Sequence, residues 1–224
     1  MKILITGANG MLAKSVKARL KKENELICTD VSDLDITNAE AVMNFVKENK
    51  PEYIINCAAF TAVDKAEEVY DLAEKINADG PGNLAKAAKE VDATLIHIST
   101  DYVFNGDLDV SKSYVETDEV GPVTVYGKTK LHGEEGIEKN MEEYYIFRTA
   151  WLYGIGGNNF VKTMTKLGST RDEINVVADQ HGSPTYAKDL TEIIYQAINK
   201  KIPYGIYNAT NNGYTTWYEF TKEI

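Results

Sequence analysis

The sequence has no apolar run near the ~20 residues that a membrane-spanning helix requires. The opening MKILITGANG has too short an apolar stretch for a secretory leader and shows no cleavage pattern. Without such a leader the sequon Asn208-Ala209-Thr210 carries no weight. Cysteine is scarce: Cys28 and Cys57 are the only two, both in apolar runs and without metal-ligand spacing. They read as buried thiols of a reducing compartment, so a cytoplasmic location is expected. There are three histidines. His97 lies inside an apolar strand and reads as a satisfied core residue, and His132 and His181 are isolated, so no metal is expected. Positive charge is in the minority, with 24 Lys and Arg against 34 Asp and Glu and a net charge of −10. That argues against nucleic acid as a partner. It leaves room for a small anionic ligand, which backbone amides can bind inside an acidic protein. Low-complexity tracts and internal repeats are also missing.

What is present is regular. With 224 residues, 43% hydrophobic and 26% charged, the chain can bury the core of one α/β domain. Short apolar runs at Lys2–Thr6, Glu25–Asp30, Tyr53–Ala59 and Thr94–Thr100 read as strands. Between them, residues 11–22, 38–49 and 71–90 show helical spacing. Such alternation builds parallel βαβ units. The strands LITG, YIINCAA and TLIHIST are nearly continuously apolar, as strands covered on both faces must be. The expected fold class is α/β, a doubly wound parallel sheet. Residues 105–121 are acidic and aperiodic, a long loop of the kind that often carries function. Further on, a strand is expected at Tyr145–Tyr153, a helix near 158–168, a strand near 174–178, a helix at 187–199 and a strand near 205–208. The closing TTWYEFTKEI reads as the start of an amphipathic helix with Trp217, Phe220 and Ile224 on one face. So short a helix rarely stands alone, so the chain is expected to be incomplete at this end.

Gly7-Ala8-Asn9-Gly10-Met11-Leu12-Ala13 follows the first strand and opens the first helix, as G-x-x-G-x-x-A. Gly7 suits the tight turn, Gly10 lets backbone approach a diphosphate, and Ala13 keeps helix and strand close. Free amides at the helix start would face the anion. Some twenty residues on comes Asp30, placed either to accept from an adenosine ribose or to stand as a solvated strand-end carboxylate. A carboxylate there repels a 2′-phosphate, and Val31 and Ser32 follow rather than arginine. NADH is therefore favoured over NADPH. Ala58 and Ala59 at the third strand's end leave room for a flat ligand or simply allow close helix packing.

In VTVYGKTKLHGEE, Tyr126 and Lys130 stand four residues apart and share one helix face. Together GANGMLA, NCAAFTAVDKAEE, ISTDYVF, VYGKTKLHGEE and FRTAWLYG, in this order, resemble the extended short-chain dehydrogenase/reductases. Within them they resemble the dTDP-4-dehydrorhamnose reductase family, and the likeness continues through VADQHGSPTYAKDL. Two departures stand out: the chain stops earlier than family members do, and the loop before the Tyr-Lys helix is slightly long.

The resemblance implies catalysis by Tyr126, Lys130 and Thr100. A ketone that accepts hydride develops charge on oxygen and needs a proton donor there. A phenol ordinarily titrates near ~10, and a nearby ammonium would lower that value. Lys130 is expected to do this and to bond the nicotinamide ribose. The implied dinucleotide contacts are Gly7, Gly10, Met11, Leu12, Asp30, Asp35, Ile36, Ala58, Ala59, Tyr126 and Lys130. The implied sugar contacts are Thr100, Asp101 and Trp151, and Ser99 competes with Thr100. Arg148 reads as a structural ion-pair partner.

The implied reaction reduces the C4 ketone of a dTDP-sugar with NADH or NADPH. The alternatives are a nucleotide-sugar 4-epimerase or dehydratase, or a non-catalytic subunit resembling the regulatory subunit of methionine adenosyltransferase. Dehydratases carry a Glu where Tyr102 stands here, and a binding subunit would not need both Tyr126 and Lys130. Residues 1–154 are expected to form the NAD(P)-binding Rossmann domain. Residues 155–224 are expected to hold its last elements and part of a small substrate-binding lobe that reads as truncated. The expected partners are a nucleotide sugar, with no nucleic acid and no membrane, for a monomer or homodimer.

Overall fold

A computed structural model describes residues 1–224. The first half runs β1 (Lys2–Thr6), α1 (Met11–Leu20), β2 (Glu25–Cys28), α2 (Ala39–Asn49) and β3 (Tyr53–Asn56). Short helices α3 (Val63–Ala66) and α4 (Tyr70–Glu74) lead into α5 (Gly80–Lys89) and β4 (Thr94–Thr100). The second half runs α6 (Val125–Asn140), β5 (Tyr144–Thr149), β6 (Leu152–Tyr153), α7 (Phe160–Gly168), β7 (His181–Gly182) and β8 (Thr185–Tyr186). It closes with α8 (Ala187–Lys200), β9 (Gly205–Asn208), β10 (Thr215–Thr216) and α9 (Trp217–Lys222).

The main sheet has the order β2-β1-β3-β4-β5-β9, and every neighbouring pair in it is parallel. Strand alternation sends the side chains to two covered faces. Ile3, Ile5, Ile55, Ile96 and Phe147 pack with Val16 and Leu20 of α1 and Leu190 and Ile194 of α8. Leu4, Ile54, Leu95 and Ile146 pack with Val42 and Val46 of α2, Leu84 of α5 and Ile137 of α6. The sheet therefore runs past residue 154, because β9 is its edge strand and α8 one of its covering helices. The strand order reverses between β1 and β3, and a crevice opens there at the carboxyl ends of the strands. No helix is long and apolar enough to cross a membrane.

The structure departs from the sequence reading in several places: Cys28 is exposed rather than buried, and the strand expected over Tyr145–Tyr153 is split into β5 and β6. The helix expected over 71–90 is interrupted by a π turn at Lys75–Asp79. Pro81 has no N–H to give the Asn77 carbonyl one turn back, so the α-helical ladder cannot run through. That carbonyl instead faces Gly133 of α6, where a Cβ would collide with it. The strand expected near 174–178 does not form. Its β-branched residues find no partner strand, and only the Val177 carbonyl is used, by the Tyr218 amide at 3.1 Å.

Candidate active site

At the β1–α1 turn Gly7 has φ +63, and a Cβ there would lie 2.6 Å from the Ala58 nitrogen. Only glycine fits between the two strand ends. Gly10 caps α1 and donates to the Gly7 carbonyl at 2.9 Å. The amides of Met11 and Leu12 then open the helix without intrahelical acceptors. Asp30 stands at the mouth of this turn and accepts from the Asn9 amide at 3.0 Å and the Val31 amide at 2.9 Å. Asp35 is exposed and accepts from the Thr37 amide and hydroxyl. Ile36 is buried against Gly80. A dinucleotide fits this cradle: a glycine that tolerates no Cβ, free helix-start amides and a carboxylate at the rim converge on the switch point.

Thr100 ends β4 at the same edge. Its hydroxyl donates to Asp101 at 3.0 Å and accepts from the Tyr102 amide at 3.2 Å. Burial pushes the Asp101 carboxyl up to about 6, with the Thr100 hydroxyl and nearby amides opposing. Tyr126 sits in the first turn of α6, edge-on to Tyr102 with ring centroids 5.6 Å apart. Burial raises its phenol above the ordinary value, and the Thr100 hydroxyl beside it works the other way. The Ser99 hydroxyl is buried without a partner.

α6 is brought close by small residues and caps. Thr124 accepts from the Gly127 amide at 3.0 Å and Glu67 from the Val125 amide at 2.8 Å. At Gly127 a Cβ would collide with the Tyr102 carbonyl and lie 3.0 Å from Pro122. Gly127→Ala is accordingly expected to lose about 1–3 kcal/mol of stability in denaturant melts by overpacking. An unchanged midpoint would show that α6 is free to shift away from Tyr102.

The end of Lys130 is held by groups other than Tyr126. Lys130 is 1% exposed and donates to the Ile98 carbonyl at 2.6 Å, with His97 Nε2 at 3.3 Å, and it makes no hydrogen bond to Tyr126. Nζ therefore has no direct bond to the phenol in this arrangement. Burial itself lowers Lys130 to about 8, against the pull of Glu134 and Cys57. His97 continues a buried chain: its Nδ1 lies 3.1 Å from Asn56 Nδ2, and Asn56 Oδ1 accepts from Thr6 at 2.7 Å.

Two further segments are fastened nearby. The 105–121 loop is fastened by a Phe104–Tyr114 stack with centroids 4.3 Å apart and by the Gly121 amide donating to Val103 at 2.9 Å. On the other side Gly154, Gly156 and Gly157 pack on Met11, whose sulfur faces Asn159 Nδ2 at 3.5 Å. Trp151 adopts φ +45 and stacks on Trp217 with centroids 3.5 Å apart, and Gly182 packs closely on it. The structure thus brings Gly7, Gly10, Met11, Asp30, Ala58, Thr100, Asp101, Tyr126 and Lys130 to one sheet edge. Ile36 lies in the core beneath Gly80.

Sequence reasoning passed over Asn77. Its side chain accepts from the Phe60 amide at 2.8 Å and donates to the Phe60 carbonyl at 3.0 Å and to Thr129 at 3.1 Å. It thereby fixes the segment after β3 to α6. Pro81 four residues on was the available signal of a helix break there.

Across residues 1–224 the chain matches the family model described as RmlD substrate binding domain. It is 42% identical to a dTDP-4-dehydrorhamnose reductase of Aggregatibacter actinomycetemcomitans, over 100% of this chain and 78% of that protein. The solved structure of a dTDP-4-dehydrorhamnose reductase from Clostridium acetobutylicum superposes with a TM-score of 0.96 at 54% identity, covering 100% of this chain and 79% of that one. One from Bacillus anthracis, in complex with NADP, superposes at 0.95 with 46% identity, covering 99% and 79%.

Proposed function

The chain belongs to the RmlD substrate binding domain family, and from that premise we propose that it is a dTDP-4-dehydrorhamnose reductase, reducing the C4 ketone of dTDP-4-dehydro-β-L-rhamnose to dTDP-L-rhamnose. The observation that carries the reading is the meeting of a dinucleotide cradle with Tyr126 and Thr100 at one carboxyl edge of a parallel sheet.

NADH or NADPH held in the cradle supplies the hydride. Gly7, Gly10, Met11 and Leu12 would receive its diphosphate through backbone, and Asp30 its adenosine ribose. Ala58 and Ala59 leave room beside it, and Asp35 and Ile36 shape the floor beyond β2. Tyr126 donates the proton to the ketone oxygen, and Thr100 bonds the same oxygen. Burial keeps the phenol protonated at neutral pH, which suits a donor in the reducing direction. Asp101 takes a sugar hydroxyl, and Trp151 contributes only through the part of the indole that Trp217 and Gly182 leave accessible. Tyr102 stands where a dehydratase needs a second carboxylate, so elimination of water is disfavoured.

All these groups belong to one chain, so a monomer or a homodimer would serve equally. A cytoplasmic location is part of the same reading, since reduced nicotinamide and nucleotide sugars are drawn from that pool. The test is incubation with the 3,5-epimerised dTDP-4-keto-6-deoxysugar and NADH. Loss of reduced nicotinamide absorbance with formation of the 4-hydroxy sugar is expected, and no oxidation would favour the other readings. Because Asp30 would face a 2′-phosphate, NADH is expected to bind more tightly than NADPH. A clear NADPH preference in titration would overturn that reading of Asp30.

A further inference from the structure

The buried chain that ends at Lys130 fixes the direction of every hydrogen bond in it. Asn56 Oδ1 accepts from the Ala58 amide at 3.1 Å, and a backbone N–H can only donate, so the orientation of this side-chain amide is settled. The other end of Asn56 is therefore its NH₂ group, 3.1 Å from His97 Nδ1. An NH₂ group can only donate, so Nδ1 is the acceptor and the single proton of the neutral ring is on Nε2. A neutral ring agrees with burial, which lowers His97 well below its ordinary value. Nε2 in turn lies 3.3 Å from Lys130 Nζ. An N–H that faces an ammonium meets another donor. An N–H that faces a free amine meets a lone pair. Nζ already gives one hydrogen to the Ile98 carbonyl at 2.6 Å, and the amine satisfies both contacts.

We propose that His97 is a positioning residue whose Nε2–H favours the free amine of Lys130, so that above the Lys130 midpoint dinucleotide binding is accompanied by uptake of one proton from solvent at Nζ. This rests on the reductase reading in so far as a dinucleotide must bind beside Lys130. A diphosphate and ribose hydroxyls arriving at this edge favour the ammonium.

The other groups around Lys130 do not confuse the measurement. Just after β3, burial pushes the Cys57 thiol up to about 12, and on β4 His97 is neutral. Asp101, after β4, titrates at about 6, and the Tyr126 phenol lies above its ordinary range. On α6 the Glu134 carboxylate is taken by Arg148 of β5 at 2.7 Å. Of the groups with shifted titration, Lys130 at about 8 is the one that changes charge just above neutrality.

Calorimetric titration with NADH, in buffers of different protonation enthalpy, reads the uptake directly. At about pH 9 it is expected to approach one proton per NADH, and near pH 6 to vanish, with Kd weakening up to about tenfold per pH unit above the Lys130 midpoint. Lys130→Arg, permanently charged, should bind without uptake. His97→Gln can turn a carbonyl oxygen to Nζ and should cut the uptake at pH 9 by at least about half. A structural role alone would leave the uptake unchanged. NADH binding without uptake at pH 9 would overturn the proposal and leave the reductase reading intact, whereas no NADH binding at all would sink both. Imidazole nitrogen-15 spectra give a readout independent of NADH: His97, assigned by the His97→Gln variant, is expected as the Nε2–H form. A proton on Nδ1 would overturn the proposal.

Discussion

Tyr126→Phe is expected to lower kcat for ketone reduction by about 10²–10⁴-fold, the range that a positioned general acid contributes, while NADH still binds. The change removes one oxygen and keeps the ring. The ring's edge contact with Tyr102 survives, as do the Thr124 and Glu67 caps of α6. What is lost is the hydroxyl beside Thr100, the group placed to protonate the ketone oxygen. Steady-state kinetics with a parallel NADH titration separates the two effects. Unchanged turnover would remove Tyr126 from the mechanism, and a matching loss of NADH affinity would recast it as a cofactor contact.

The second large effect concerns stability. Glu134 and Arg148 are 1% and 4% exposed, and their pairing uses Nε at 3.1 Å and Nη2 at 2.7 Å. Breaking a buried pair leaves a charge without a partner and typically costs about 3–5 kcal/mol. Glu134→Ala is expected to destabilise the protein by that amount in denaturant melts. More than α6 and β5 is at stake. Arg148 also donates to the Glu116 carbonyl at 3.4 Å, and Asn208 of β9 donates to Glu116 at 2.9 Å and to the Tyr114 carbonyl at 3.1 Å. Arg148 and Asn208 thus fasten the long loop to β5 and β9. Glu134→Leu combined with Arg148→Met should recover much of the loss, since the uncompensated charge is gone. A single variant as stable as the parent would show that water reaches the orphaned guanidinium.

The sheet was legible because its signal is local and repeated. Apolar runs of four to seven residues alternate with amphipathic helices, and LITG, YIINCAA and TLIHIST could only be strands covered on both faces. The phosphate turn was legible because Gly7 and Gly10 carry backbone demands that few other residues meet. Less legible was anything set by a contact between distant elements. The π turn depends on Pro81 together with Asn77, whose partners Phe60 and Thr129 lie far off in the chain. The direction in which Lys130 points was also hidden. Spacing puts it on the face of Tyr126, yet the Ile98 carbonyl and His97 hold its end. Trp151 stood as a sugar contact through the resemblance, with core packing as the other reading, and only the fold reveals that Trp217 stacks on it from 66 positions away.

Transfer of label is the most direct test of hydride delivery to the sugar. With NADH deuterated at the transferring position of its nicotinamide, the deuterium is expected at C4 of the dTDP-sugar product, one per NADH consumed. A product without label at C4, or sugar turned over with no net consumption of NADH, would contradict a reductase and point to an enzyme that returns the hydride within its own cycle.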